Sequence, residues 1–451
     1  MTNTFRTVGE EKEEGSNRIK LPDANGQARR AESGLKKTIK LRHAVALYAS
    51  SVLGSGVLVL PGLAARLAGP ASILAWILLS AASYPFAYTF ASLSSRNPES
   101  GGIYSFAKEA FGSKVSTVIG WLFALWVITG APAVSLIAAS YLGYAFPLDR
   151  GETLLIAFGI LFAAFSINYR GIVVSTKVQL AVIASIVALL LVTITASSFF
   201  VKAQNFVPFI PNGLIPIGTA GALIFWSYLG YENVSNVAEE FENPKKDFGR
   251  SIILSVLLIS GLYIAVAFVT IGTLAYESGN SIAPFAVILS HVLGRYGAAG
   301  TAILAVFIIF GTENAYTTGM SRVFYAVSRD GGFPRVLDHL NAKTKVPDRA
   351  LIAMFCSTIP AFALYYIFNV NLETALLVPS GAAILVYVIG SAAGIKLLGS
   401  SAKKKAIALP AISLAISLVV LPFVGWLILF SVAVSAIALL YSTFYSRDKR
   451  A

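Results

Sequence analysis

The groups best placed to do chemistry in this chain belong to its backbone. Residues 52–62 read VLGSGVLVLPG and set Gly54, Ser55 and Gly56 in the middle of a long apolar run. Glycine is the weakest ordinary helix former, so such a cluster invites the backbone to unwind. In hydrocarbon an unwound backbone is tolerated only where protein or a cavity satisfies it. Unwinding here leaves Val57 to Arg66 as a half-helix, whose free amides and positive dipole end suit an anion such as a carboxylate. Pro61 falls within about the first turn of that half-helix, where a missing amide hydrogen costs little. A second interruption is expected around Gly230, in LIFWSYLGYENVSNVAEEF (223–241). It frees carbonyls near Trp226 and Leu229, which suit a cation such as an ammonium. Donors for a carboxylate and acceptors for an amine, about one helical turn apart, match an α-amino acid. Small residues also let membrane helices pack closely, and Gly54–Gly56 alone would fit that role. Two interruptions at matching places in the chain favour a binding site.

Two carboxylates lie deep in the apolar runs, where a charge costs at least about 2.5 kcal/mol. Glu232 follows the Gly230 interruption, as a helix-capping carboxylate or as a titrating group. Glu313 precedes Arg322 by nine residues, roughly 13 Å of helix, and shares a face with Tyr316, Thr317 and Met320. It is placed to bind a cation, to take a proton, or to form a buried hydrogen bond with Asn314 and a neighbouring hydroxyl. The threonines of TTG (317–319) offer oxygens for sodium or bond back to their own turn. His43, His291 and His339 are scattered, so no metal site is expected. No HExxH, Walker or GxSxG pattern occurs, and no enzyme chemistry is expected.

The elements that carry these groups are membrane helices. Of 451 residues 56% are hydrophobic and 13% charged, with mean hydropathy +0.73, against about 25% charged in a soluble domain. Twelve apolar runs are expected to span, near 41–66, 72–95, 115–145, 152–169, 173–200, 214–240, 250–275, 297–327, 350–368, 372–397, 406–423 and 425–445. The net charge of +13 does not point to nucleic acid. With both termini inside, only Arg66, Arg150, Lys202 and Arg295 of the 35 basic residues fall outside, the positive-inside pattern. The polar start predicts no cleavable signal peptide, residues 1–38 predict a disordered cytoplasmic tail, and one cysteine, Cys356, allows no intrachain disulfide. Spans one and six each open a block of five, and an odd number of crossings per block inverts the second against the first. Residues 39–205 and 206–399 are the expected repeats, 400–445 two further helices, and 446–451 the cytoplasmic C-terminus.

Four stretches resemble the amino acid–polyamine–organocation transporter superfamily: GSGVLVLPG (54–62), NPESGGIYSFAKEAFG (97–112), ENPKKDFGRSI (242–252) and SRDGGFPRVLDHLNAKTKVPDRAL (328–351). The resemblance covers about residues 38–445 and implies an all-α polytopic fold of twelve transmembrane helices. Two inverted five-helix repeats in the LeuT-like arrangement, with helices one and six broken, are joined by two C-terminal helices. It implies a substrate site between helices one, three, six and eight. The substrate carboxylate would meet Ser55, Gly56 and the amide of Val57, and the amine the carbonyls of Val52, Trp226 and Leu229. Trp226 matches an aromatic gate of such relatives, with Tyr228 beside it, Tyr316 a second pocket aromatic, and Glu232 a glutamate linked to gating. Some members carry a lysine midway along helix five in place of a sodium ion. Here 179–192 have none, and Lys177 lies near the cytoplasmic start of that helix.

The expected function is secondary transport of amino acids by alternating access in the plasma membrane, with no cofactor beyond a coupling proton or sodium ion. The small, apolar helix three (125–140) points to neutral or hydrophobic substrates. The alternatives are an antiporter of cationic amino acids or polyamines, for which Glu313 leaves room, and an amino acid exporter, since the same scaffold supports uptake, exchange and export. The expected partners are the substrate and the lipid bilayer, with a monomer or homodimer as the assembly. A membrane sensor of amino acids would need a signalling domain, and residues 1–38 show none. Deleting residues 1–38 should therefore leave amino acid exchange in liposomes unchanged. Loss of exchange, with the truncated protein still folded, would contradict the reading of that tail.

Overall fold

A chain immersed in lipid must satisfy its peptide groups within itself, and a helix does so within one segment. The computed structural model describes residues 41–96, 102–171, 176–231, 244–277, 281–399 and 404–448, all within the compact unit Thr38–Ala451. Helix α1 is Leu41–Val52, α2 Gly56–Ala68, α3 Ser72–Arg96, α4 Ile103–Phe111 and α5 Ser113–Ala145. Then come α6 Arg150–Tyr169, α7 Thr176–Ser198, α8 Ile215–Ile224, α9 Pro244–Gly272 and α10 Pro284–Arg329. The series ends with α11 Asp348–Ile367, α12 Leu372–Gly399, α13 Lys404–Val420 and α14 Ile428–Asp448. Among the described residues there is no strand, and nine stretches are long and apolar enough to cross a bilayer. The chain is an all-helical polytopic membrane protein.

Helix α5 runs through the interior, packed against α6, α10, α12 and α14. Helix α1 packs on α9, and α2 on α8 and α9. Large aromatic side chains close the core: Trp76, Tyr228 and Tyr263 meet edge to face or tilted, and Phe86, Phe225 and Tyr387 form a second cluster.

Two elements differ from the expected loops. Residues 97–112 hold α4, whose Ile103, Tyr104, Phe106, Ala107 and Ala110 are buried on one face. Lys108 pairs with Asp330 at 2.7 Å, and the Tyr104 hydroxyl donates to the same carboxylate at 3.0 Å. Burial and the adjacent Asp330 charge push the Tyr104 phenol up from its ordinary value, so it stays a donor. Helix α10 begins at Pro284, well before the expected 297. Its 46 residues would be about 69 Å of straight helix, more than twice the hydrocarbon thickness. Gly294, at φ +60°, breaks the run and lets Pro284–Leu293 fold back as a separate apolar segment.

Among the described residues the helix stops at both nominated places. Leu53–Ser55 separate α1 from α2, and a 3-10 turn, Phe225–Tyr228, follows α8. Leu229 is then extended and Gly230 takes φ +119°. Tyr263 of α9 links the two: its hydroxyl lies 3.0 Å from the carbonyl oxygens of both Val52 and Ser227. Gly230 sits against the last turn of α1, where a methyl group would run into the Ser51 carbonyl. Gly230→Ala combines that collision with a φ side chains avoid, a strain of roughly 1–3 kcal/mol before the clash is counted. It should lower the thermal unfolding midpoint in detergent. Gly261→Ala, a helical position open within 4 Å, should leave it unchanged or raise it. Equal midpoints for the two variants would show that the Gly230 contact is not tight.

Candidate functional site

Glycines at the first interruption bring α10 close. A Cβ on Gly54 would lie 3.7 Å from Thr312 Cγ2, so Glu313 stands next to the gap between α1 and α2. The gap, the 3-10 turn and the middles of α5 and α10 surround a partly open cavity. Ser55 and Trp226 face it from the two interruptions. Helix α10 contributes Thr312, Glu313, Tyr316, Thr317 and Met320, one helical face. Trp126, Val127, Gly130, Ala131 and Val134 of α5, Phe165 of α6 and Met354 of α11 complete the wall.

Trp226 is the hinge of this geometry. Its indole nitrogen donates to Ser55 Oγ at 3.4 Å, a long bond, and its ring meets Trp126 edge-on with centroids 5.7 Å apart. A Cβ on Gly130 would come within 2.9 Å of Trp226 Cη2 and 3.1 Å of Trp126 Cδ1. Gly130 therefore makes the space that the indole occupies, and Trp126 packs in turn on Tyr316.

Of the nominated residues the cavity gathers Ser55, Trp226, Tyr316 and Glu313. Gly56 is adjacent but packed: a Cβ there would lie 2.6 Å from Ser227 Oγ and 3.0 Å from Trp226 Cδ1. Val57 is buried in the first turn of α2, outside the lining. The carbonyl of Val52 is engaged by Tyr263, and that of Trp226 by the Leu229 amide at 3.4 Å. Leu229 itself lies outside the lining. Tyr228 points elsewhere, sharing a 2.6 Å hydrogen bond with Ser80. Glu232, with Asn233, Ser235 and Asn236, falls outside the described residues, as does the Lys177 side chain.

Glu313 is 2% exposed and its Oε1 has no hydrogen-bond partner. Asn314 does not pair with it; Asn314 Oδ1 accepts from Asn168 Nδ2 of α6 at 2.7 Å. Thr318 donates to Asn168 Oδ1 at 2.5 Å, so its hydroxyl is turned to α6 rather than to α1. Phe165, Thr312 and Met354 were not nominated. Thr312 follows from the 312, 316, 320 spacing on α10, whereas Phe165 and Met354 carry no local signal. Chemically, the enclosure offers the amino end of α2 to an anion, a mostly apolar wall to a hydrocarbon or thioether group, and one carboxyl group.

A family model described as amino acid permease matches residues 39–448. An uncharacterized amino acid permease of Bacillus subtilis, YecA, is 35% identical over 407 residues, 90% of this chain and 96% of its own length. The L-methionine/branched-chain amino acid exporter YjeH of Escherichia coli is 29% identical over 90% of this chain and 96% of its own. The branched-chain amino acid permease BcaP of Bacillus subtilis is 28% identical over 78% and 81%. The resemblance carried by the four motifs is thus borne out across nearly the whole sequence, and the chain belongs to the amino acid permease family of the amino acid–polyamine–organocation superfamily.

Proposed function

We propose that the protein carries neutral amino acids with apolar side chains across the cell membrane by alternating access around the cavity at the two interruptions. The observation that carries this reading is the joint exposure of Ser55, at the start of α2, and Trp226, on the 3-10 turn, in one mostly apolar enclosure. The positive end of the α2 dipole, reached at Ser55, attracts the substrate carboxylate. The side chain lies against Val127, Val134, Met320 and Met354. Trp226 closes over it, held between Ser55 and Trp126. The branched-chain and methionine specificities in the names of YjeH and BcaP support this substrate class.

Among the described residues helices lie in each of the twelve apolar stretches, in the sixth over Ile215–Tyr228, which supports a reading of twelve crossings with two inverted blocks of five. The distribution of basic residues supports a reading with both termini in the cytoplasm. A second reading, transport of cationic amino acids or polyamines, is favoured by one feature, the unpartnered carboxyl oxygen of Glu313.

A thermal-shift screen over the amino acids and polyamines, followed by counterflow in liposomes, separates the two. Leucine, isoleucine, valine and methionine should stabilise the protein and exchange; stabilisation by lysine, arginine or spermidine alone would favour the second reading. Gly56→Leu forces the two interruptions apart at Ser227 and should abolish counterflow while the protein still inserts. Full transport by that variant would remove the site from this place. Gly130→Ala crowds Trp226, and an overpacking cost of about 1–3 kcal/mol corresponds to a fall in exchange of roughly 5- to 150-fold. An unaltered rate in Gly130→Ala would mean that the indole does not move in the cycle.

A further inference from the structure

Three carbonyls at the interruptions are already engaged. Tyr263 binds those of Val52 and Ser227, the Leu229 amide binds that of Trp226, and Val52, Ser227 and Leu229 lie outside the cavity lining. An ammonium group entering the enclosure meets a different acceptor, Glu313, whose Oε1 is without a partner. Among the described residues no Lys, Arg or His lines the cavity. The rest of the lining among the described residues is uncharged: Ser55 and Trp226 at the interruptions, Trp126 and Gly130 of α5, Phe165 of α6 and Met354 of α11 share it with Glu313. Helix α7 supplies Val182 beside Gly311. Among the described residues the titratable side chains nearby are tyrosines, Tyr316 on the lining and Tyr263 behind the gap. An enclosed carboxylate with no counter-charge must be neutralised, by a proton or by a cation.

We propose that Glu313 is the group at which the substrate's amino group and a proton exclude each other, making the protein a proton/amino acid antiporter. This rests on the transport reading above. When the cavity is empty of substrate, Glu313 holds a proton. A zwitterionic amino acid displaces it: the carboxyl O–H gives its proton to water on the side where substrate enters, and the ammonium pairs with the carboxylate. When the substrate leaves on the other side, Glu313 takes a proton from that side. One proton crosses against one neutral zwitterion, so one charge moves per cycle. A proton gradient directed inward then drives export. Tight exchange follows because neither the unneutralised carboxylate nor the doubly occupied one is stable in the enclosure.

The test uses the full-length purified protein and L-methionine. In weakly buffered detergent solution, methionine binding should release about one proton per bound molecule, and its affinity should weaken about tenfold for each pH unit as acid is added. The sign follows from competition, since acid fills Glu313 with protons and excludes the ammonium. Glu313→Gln should release no proton, lose at least about tenfold in affinity and show no pH slope. Glu313→Asp should keep the slope at weaker affinity. Should the glutamine variant fail to fold, the wild-type proton release and slope decide alone. Methionine exchange without proton release, or a slope surviving in Glu313→Gln, overturns the antiport mechanism and leaves transport standing. Absence of binding and counterflow for every amino acid overturns the transport reading and this inference together.

Discussion

A membrane helix that stops in the middle of the lipid exposes peptide groups that water cannot reach, and each must find a partner within the protein. Here one phenol meets much of that demand. Tyr263 stands between the end of α1 and the 3-10 turn, its hydroxyl within bonding distance of the Val52 and Ser227 carbonyls. A hydroxyl has one hydrogen to donate, so the two acceptors share it. Trp76 and Tyr228 hold the Tyr263 ring edge-on at 5.4 and 5.3 Å. Gly230 completes the joint because only a residue without a side chain fits against Ser51. The two interruptions are therefore one structure rather than two, and a shift of either half-helix disturbs the other.

The site follows from that joint. With the gap fixed, Ser55 presents the start of α2 to the cavity, and Gly54 admits Thr312 so that Glu313 stands alongside. The Asn168–Asn314–Thr318 hydrogen bonds tie α6 to α10 on the face away from the cavity and set the rotation that turns Glu313 inward. Ion pairs lie at opposite ends of the helices, Arg66 with Glu373 and Lys108 with Asp330. The half-exposed Arg66 pair contributes little to stability, as surface pairs generally do, but it can open at small cost during a rearrangement.

Much of this was legible from local pattern. Apolar length marked the helices, and the small residues at 54–56 and 230 marked the interruptions, because glycine's cost to a helix is a property of the residue itself. The shared face of Glu313, Tyr316, Thr317 and Met320 followed from helical spacing. Less legible were Phe165 and Met354, which reach the cavity from α6 and α11. Apolar residues in membrane helices look alike in sequence whether they face lipid or a cavity. Helix α4 was hidden inside a loop motif, although Ile103, Phe106, Ala107 and Ala110 carry the amphipathic spacing that would have revealed it.

By itself the sequence determined that the chain is a bundle of membrane helices, that two of them are interrupted, and where an acidic group lies deep among apolar neighbours. These depend on hydropathy and backbone propensity, which act over one turn or one span. Only the tertiary structure decided which peptide groups remain available to a ligand. The Val52 carbonyl is taken by a tyrosine 211 residues away, Tyr228 turns to Ser80, and Glu313 Oε1 is left without a partner among the described residues. Hydrogen bonding is pairwise and saturable, so the chemistry of a group depends on which neighbour folding brings to it first.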